Sequence, residues 1–234
     1  MSLDTPPAAF TVPMSNISMP RWTPAVHRVM YAIDIVGYSS RDDQTHLHLR
    51  NSLRDLTGQA AAAAGVPLDS CYHEDRGDGI LVITPPDTPP EAILGLFQVH
   101  LHAALRRHNR LASQNAHMRL RVSVEGGFVS FDAHGVSGRA VIHLFRLNEA
   151  PVFKAMLNTS GADIGVITST NLYNEVVRSA PGILDPSAYM PVTVINKEFH
   201  SPAWVTLPST PTIDPSQDPN PLTRIAVETS LPRI

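Results

Sequence analysis

One carboxylate interrupts the run Val29-Met30-Tyr31-Ala32-Ile33-Asp34-Ile35. The rest of the run is apolar and rich in β-branched and aromatic residues, the composition of a buried strand. Asp34 then stands at the end of that strand, where a lone ionised carboxylate costs several kcal/mol unless something pairs with it. A divalent cation would do so. So would the backbone of the loop that follows, which the Asp could simply cap. That loop, Val36-Gly37-Tyr38-Ser39-Ser40, leads into a polar helix start. Ser39 and Ser40 suit its cap, and Asp42 and Asp43 its first turn.

The remaining chain reads as alternating helices and short strands. Leu49, Leu53, Leu56 and Ala60 fall on one helical face, and Gly65-Val66-Pro67 ends that helix. Two β runs, 71–75 and 80–83, flank Arg76-Gly77-Asp78-Gly79, and Gly-Asp-Gly between such runs signals a hairpin. An Asp there is often no more than a turn residue. Ile93, Phe97, Leu101 and Leu105 mark a second helix. Met118, Leu120, Val122 and Val124 alternate as a strand, which Gly126-Gly127 is expected to break before 128–131 resumes it. After Ser137-Gly138 a third helix turns Val141, Leu144, Phe145 and Ala155 inward. A strand at 165–168, a helix at 172–177 and strands at 192–195 and 204–207 complete the pattern. Residues 1–26 and 208–234 read as Pro-rich tails, the first packed through Phe10 and Trp22, around one domain at 27–207. The order implies an α+β sandwich of ferredoxin-like type, with helices packed on a mostly antiparallel sheet.

Composition narrows the partners. A chain of 234 residues, 43% hydrophobic, can bury one sizeable core. Its net charge of −3 is too near neutral to favour nucleic acid or an anionic membrane. The single cysteine, Cys71, excludes an internal disulfide framework and a multi-cysteine zinc site. His46, His48, His100, His102 and His108 read as surface residues, since 46 and 48, like 100 and 102, fall on opposing helix faces. No apolar run approaches the roughly 18 residues that span a bilayer. With no basic-then-apolar leader, a cytoplasmic location is expected.

If the hairpin lies beside the first strand, Asp34 and Asp78 face one point at the sheet edge. That makes a site for one or two divalent cations of Mg²⁺ or Mn²⁺ type. Backbone N–H groups of Val36, Gly37, Tyr38 and Ser39, at a helix N-terminus, suit a polyphosphate. Cations and an N–H cradle together equip phosphoryl chemistry on a nucleotide.

Four stretches in this order resemble the class III nucleotidyl cyclase catalytic domain. D-I-V-G-Y-S from Asp34 resembles its first metal motif, and E-D-R-G-D-G from Glu74 its second. R-L-R-V-S-V-E-G-G from Arg119 resembles its central strand. G-R-A-V-I-H-L-F-R-L from Gly138 resembles the helix that delivers transition-state residues. The resemblance implies that Asp34 and Asp78, with the Ile35 carbonyl, hold two Mg²⁺ or Mn²⁺ ions. It implies that Arg146 stabilises charge on the α-phosphate and that Lys197 lies near the phosphates. It also implies an active site shared across a head-to-tail homodimer, the two aspartates from one chain and Arg146 from the other.

The chain departs from this pattern at two places. Ile142 stands where the family carries an asparagine, and His143, beside it, would point about 100° away on an ideal helix. Glu74 stands at the family's base-reading position and could accept from guanine, but the second such position falls near Gly135, which has no side chain. A pyrimidine nucleotide, as in the cyclases of Pycsar-type antiphage systems, is also compatible. So is a catalytically degenerate cyclase-like module that binds a nucleotide or a partner protein.

Overall fold

The apolar run around Asp34 becomes the middle of a sheet. In the computed structural model, β1 (Val26–Ile35) is buried continuously from Val29 to Ile35. Val29, Tyr31, Ile33 and Ile35 enter one core, and Met30 and Ala32 enter another on the opposite face. A strand covered on both sides needs no alternation of polar residues, which is why the run reads as continuous. The structure describes residues 24–208 apart from 180, 181, 183, 197 and 198. Phe10 and Trp22, and nearly all of both expected tails, lie outside the described residues.

Next come α1 (Asp43–Ala63), the hairpin β2 (Tyr72–Asp75) and β3 (Gly79–Ile83), and α2 (Gln98–Leu111), which a π-helical turn at Ala92–Phe97 leads into. β4 (Leu120–Asp132), β5 (Gly135–Ser137), α3 (Arg139–Asn148), α4 (Pro151–Ser160) and β6 (Ile164–Ser169) follow. The short α5 (Thr170–Leu172) runs into a π turn at Tyr173–Val177, and β7 (Tyr189–Asn196) and β8 (Phe199–Thr206) close the fold. The sheet order is β2-β3-β1-β4-β6-β8-β7, with β5 paired to β4. All pairs are antiparallel except β4 with β6. This is the expected mixed, mostly antiparallel α+β architecture.

One face of the sheet is covered by α1 and α2. Leu49, Leu53, Leu56 and Ala60 meet Ile93, Phe97, Leu101 and Leu105 there, as their spacing predicts. Tyr31 packs on Phe97 at 4.5 Å between ring centroids. Each such side chain contributes about 1.5–3 kcal/mol by leaving water. The opposite face is covered by α3 and α4, through Leu144 and then Leu147 and Phe153.

Several local expectations are corrected. Gly126-Gly127 does not break the strand: β4 runs through both for 13 residues. Gly127 is there because α3 crosses it closely; a Cβ would lie 2.5 Å from that of Ala140. The third helix is two helices, because Pro151 at the first turn of α4 cannot donate to a continuing ladder. Ala155 is consequently exposed, and Phe153 and Leu157 point inward instead. Asp42, not a serine, caps α1 by accepting from the Thr45 N–H at 2.9 Å. No described helix is long and apolar enough to cross a membrane.

Cys71 is buried at the foot of the hairpin, and burial raises its thiol pKa although the Ser70 hydroxyl works against the shift. Little thiolate is present near neutrality. Iodoacetamide at pH 7.5 is expected to label the native protein far more slowly than the urea-unfolded chain, as mass spectrometry would register. Equal rates would contradict that burial.

Candidate functional site

The strand end and the hairpin turn are stitched together. Asp34 sits opposite Gly79 on β3 and opposite Arg121 on β4. The Ile35 N–H donates to the Asp78 carbonyl at 2.9 Å. Close approach is possible because residue 79 is glycine; any Cβ there would clash with the Ile33 carbonyl oxygen. Gly77 makes the turn with φ +87°, a left-handed conformation that glycine adopts freely. As a result, Asp34 and Asp78 line one cleft of about 250 Å³, together with Arg76, Phe145, Asn148 and Glu149.

Asp34 is buried, whereas Asp78 is exposed. Asp34 is paired through one carboxylate oxygen with the guanidinium of Arg121. Burial lowers the pKa of that guanidinium, and Glu149, 3.7 Å away, opposes the shift. Arg121 was not anticipated: it occupies a polar place in an alternating strand, and only the β1–β4 register brings it to Asp34. Among the described residues no three His, Cys, Asp or Glu side chains form a ready-made metal cluster. Two carboxylates in one cleft nevertheless fit Mg²⁺, which commonly takes one or two carboxylates and completes its shell with water and substrate phosphates.

The loop after β1 is only partly free. The Val36 N–H already donates to the Arg119 carbonyl at 2.9 Å. Gly37 turns with φ +69° into a single 3₁₀ turn, Tyr38–Ser40, so this loop does not open directly onto α1. Tyr38 stacks on His46 at 4.2 Å, and its hydroxyl donates to the His46 carbonyl at 3.2 Å. Glu74 accepts from the Tyr72 hydroxyl and lies 3.5 Å from Arg76. Gly135 is its neighbour in space; a Cβ on Gly135 would lie 3.4 Å from a Glu74 carboxylate oxygen. Glu74, which the resemblance assigns to the base, thus adjoins the loop near which the second base-reading position falls. Lys197 lies outside the described residues.

A second cleft, of about 560 Å³, opens on another face of α3. Arg139, Ile142, His143 and Arg146 line it from the helix, and Glu125, Asn171 and Phe199 from the sheet side. The Arg146 guanidinium lies over the Phe199 ring at 4.8 Å. Ile142 is 54% exposed. Ile142 and His143 diverge around the helix as expected, Ile142 towards solvent and His143 towards the sheet, and both line this cleft because it spans a wide arc of α3. The His143 Nδ1 lies 2.6 Å from Oε2 of the buried Glu125 carboxylate. The other oxygen of Glu125, Oε1, accepts from the Ser169 hydroxyl at 2.8 Å and the Gly126 N–H at 2.9 Å. Within one chain, Asp34 and Asp78 are therefore in one cleft and Arg146 in the other.

No protein-family model and no curated protein matches the chain. Solved structures do. An adenylate/guanylate cyclase/hydrolase from Silicibacter pomeroyi aligns with a TM-score of 0.57 at 18% identity, over 80% of this chain and 99% of that one. The guanylate cyclase domain of RhGC from Catenaria anguillulae, in complex with GTP, gives 0.54 at 15% identity, over 79% and 98%. A bacterial light-regulated adenylyl cyclase gives 0.56 at 11% identity over 78% of this chain. The fold is that of a nucleotide cyclase domain. The chain spans 52% of the length of the light-regulated enzyme. At these identities the likeness to the cyclase domains concerns architecture, and the chemistry rests on this chain's own side chains.

Proposed function

We propose that the protein is a nucleotidyl cyclase, converting a nucleoside triphosphate to a 3′,5′-cyclic nucleotide and pyrophosphate. The observation that carries this reading is the convergence of Asp34 and Asp78 in one cleft, where the end of the interior strand β1 meets the β2–β3 turn. Two Mg²⁺ or Mn²⁺ ions held there, with the Ile35 carbonyl as a further ligand, would supply Lewis-acid charge at the ribose 3′-oxygen and the departing pyrophosphate. Gly37, Tyr38 and Ser39 offer N–H groups to the phosphates. Arg146 neutralises charge that builds on the α-phosphate, and Lys197 is assigned near the same phosphates. Because the aspartates and Arg146 open on different faces of α3, a head-to-tail homodimer is the arrangement that lets the aspartates of one chain meet Arg146 of another. Glu74 is assigned to the base, and a pyrimidine nucleotide used in antiphage signalling falls within the same proposal.

Ile142 favours a second reading, a catalytically silent cyclase-like module that binds nucleotide or a protein. Losing one transition-state donor can cost on the order of 10²–10³ in rate. The test is incubation of the purified protein with Mn²⁺ and each of the four nucleoside triphosphates, with products identified by mass spectrometry. A cyclic product from at least one of them is expected. No product from any, with nucleotide binding unchanged in Asp34→Ala, would leave only the module.

A further inference from the structure

A third cleft, of about 230 Å³, opens on the face of the sheet that α1 and α2 cover and shares no lining residue with the two clefts already described. Leu94, Val99, Val166, Leu184 and Tyr189 make its wall largely apolar. Within that wall stands an unanswered polar group. Gln98 is 8% exposed, and neither its Oε1 nor its Nε2 has a hydrogen-bond partner among the described residues. One turn further along α2, His102 also lines the cleft, and its Nε2 is likewise buried without a partner among them. Burial, reinforced by Arg106, lowers the His102 pKa, so the ring is uncharged near neutrality. A buried amide left unpaired destabilises a fold, so a native chain carries one where something else completes it. The π-helical turn at Ala92–Phe97 supplies Leu94 and Gly95 to the same wall, and such turns are frequent at functional sites.

The lining also sets the class of ligand. It contains no lysine or arginine, and its one carboxylate, Asp185, is held ionised by the Ser187 hydroxyl and N–H. Phosphates and carboxylic acids are therefore disfavoured. A side-chain amide offers a donor beside an acceptor, and its complement is a planar group with the same pair reversed, as on a lactam or the oxo edge of a nucleobase. We propose that this cleft binds a small neutral lactam, of which a free oxo-nucleobase is one kind, paired to the Gln98 side chain with its ring against the apolar wall. His102 Nε2 supplies a second polar contact. The last torsion of a glutamine is soft, so the shielded amide can turn to meet the ligand. This site stands apart from the aspartate cleft and does not depend on the cyclase reading.

Proton–nitrogen NMR of the full chain tests this, with uracil, hypoxanthine and δ-valerolactam as probes. At least one of them should shift the Gln98 side-chain amide and the Val99 backbone amide saturably, with a dissociation constant in the millimolar range or tighter. The N-methylated counterpart of that probe keeps the ring but has no N–H to give, and should bind roughly tenfold more weakly. Shifts with a base alone assign a nucleobase, and shifts with δ-valerolactam assign lactams in general; either result upholds the site. Gln98→Met fills similar space without the amide and should lose the saturable response at Val99. No saturable shift with any probe overturns the proposal. So does equal binding of the N-methylated counterpart, a comparison made on wild-type protein and independent of whether the variant folds. A response that survives in folded Gln98→Met overturns it as well. None of these measurements uses turnover, so failure here leaves the cyclase reading standing, and absence of a cyclic product leaves this site standing.

Discussion

Asp78→Ala is expected to lose at least about 10²-fold in cyclic nucleotide formation and to melt almost where the parent does. The two halves of this result have separate causes. The Asp78 side chain is exposed and lies on the wall of the acidic cleft. What the fold takes from this residue is its backbone carbonyl, which receives the Ile35 N–H and is retained by alanine. Surface substitutions of this kind typically move stability by no more than about 0.5 kcal/mol. Asp34 allows no such separation. Its carboxylate is the partner of Arg121, so Asp34→Ala removes the proposed metal ligand and also leaves a largely buried guanidinium with only Glu149, 3.7 Å away, to compensate it. Initial rates by product mass spectrometry, beside thermal melts, measure both effects. Full activity in folded Asp78→Ala would remove the metal role assigned to the hairpin.

Gly79→Ala should be the most destabilising of the small substitutions near the site. The added methyl has no room, because the Ile33 carbonyl oxygen occupies its place and the backbone must move. Overpacking of this kind typically costs about 1–3 kcal/mol, or about 2–12 °C of melting temperature for a domain of this size. The strain falls on the β1–β3 pairing that carries Asp34 and Asp78 together, so activity should fall along with stability. Gly77→Ala, a strained substitution at φ +87° but with open space around its Cβ, is the control and should cost less. A Gly79→Ala protein that melts like the parent would mean that β1 and β3 do not approach as closely as described.

The meeting of Asp34 with Asp78 was legible because local signals fixed each partner: an apolar strand for one, a Gly-Asp-Gly hairpin for the other. The faces of α1 and α2 were legible for a similar reason, since Leu49 to Ala60 and Ile93 to Leu105 follow helical spacing over several turns. Errors arose where tertiary contact decides. Gly126-Gly127 looks like a break until Ala140 is known to press on Gly127. Pro151 could have announced a new helix, but the apolar residues on either side suggested continuity. Arg121 and Glu125 could not be read at all, because their partners, Asp34 and His143, are supplied by strand register and by where α3 crosses the sheet.

β4 passes beneath both clefts and presents alternate residues to one face, so Arg121 and Glu125 point the same way. One puts a cation among acids, and the other puts an anion among bases. At the first location Arg121 already neutralises Asp34, so a cation that binds there must draw the carboxylate away from a guanidinium of the same chain. Stray salt gains little at such a place, and a true substrate must outbid a tethered rival.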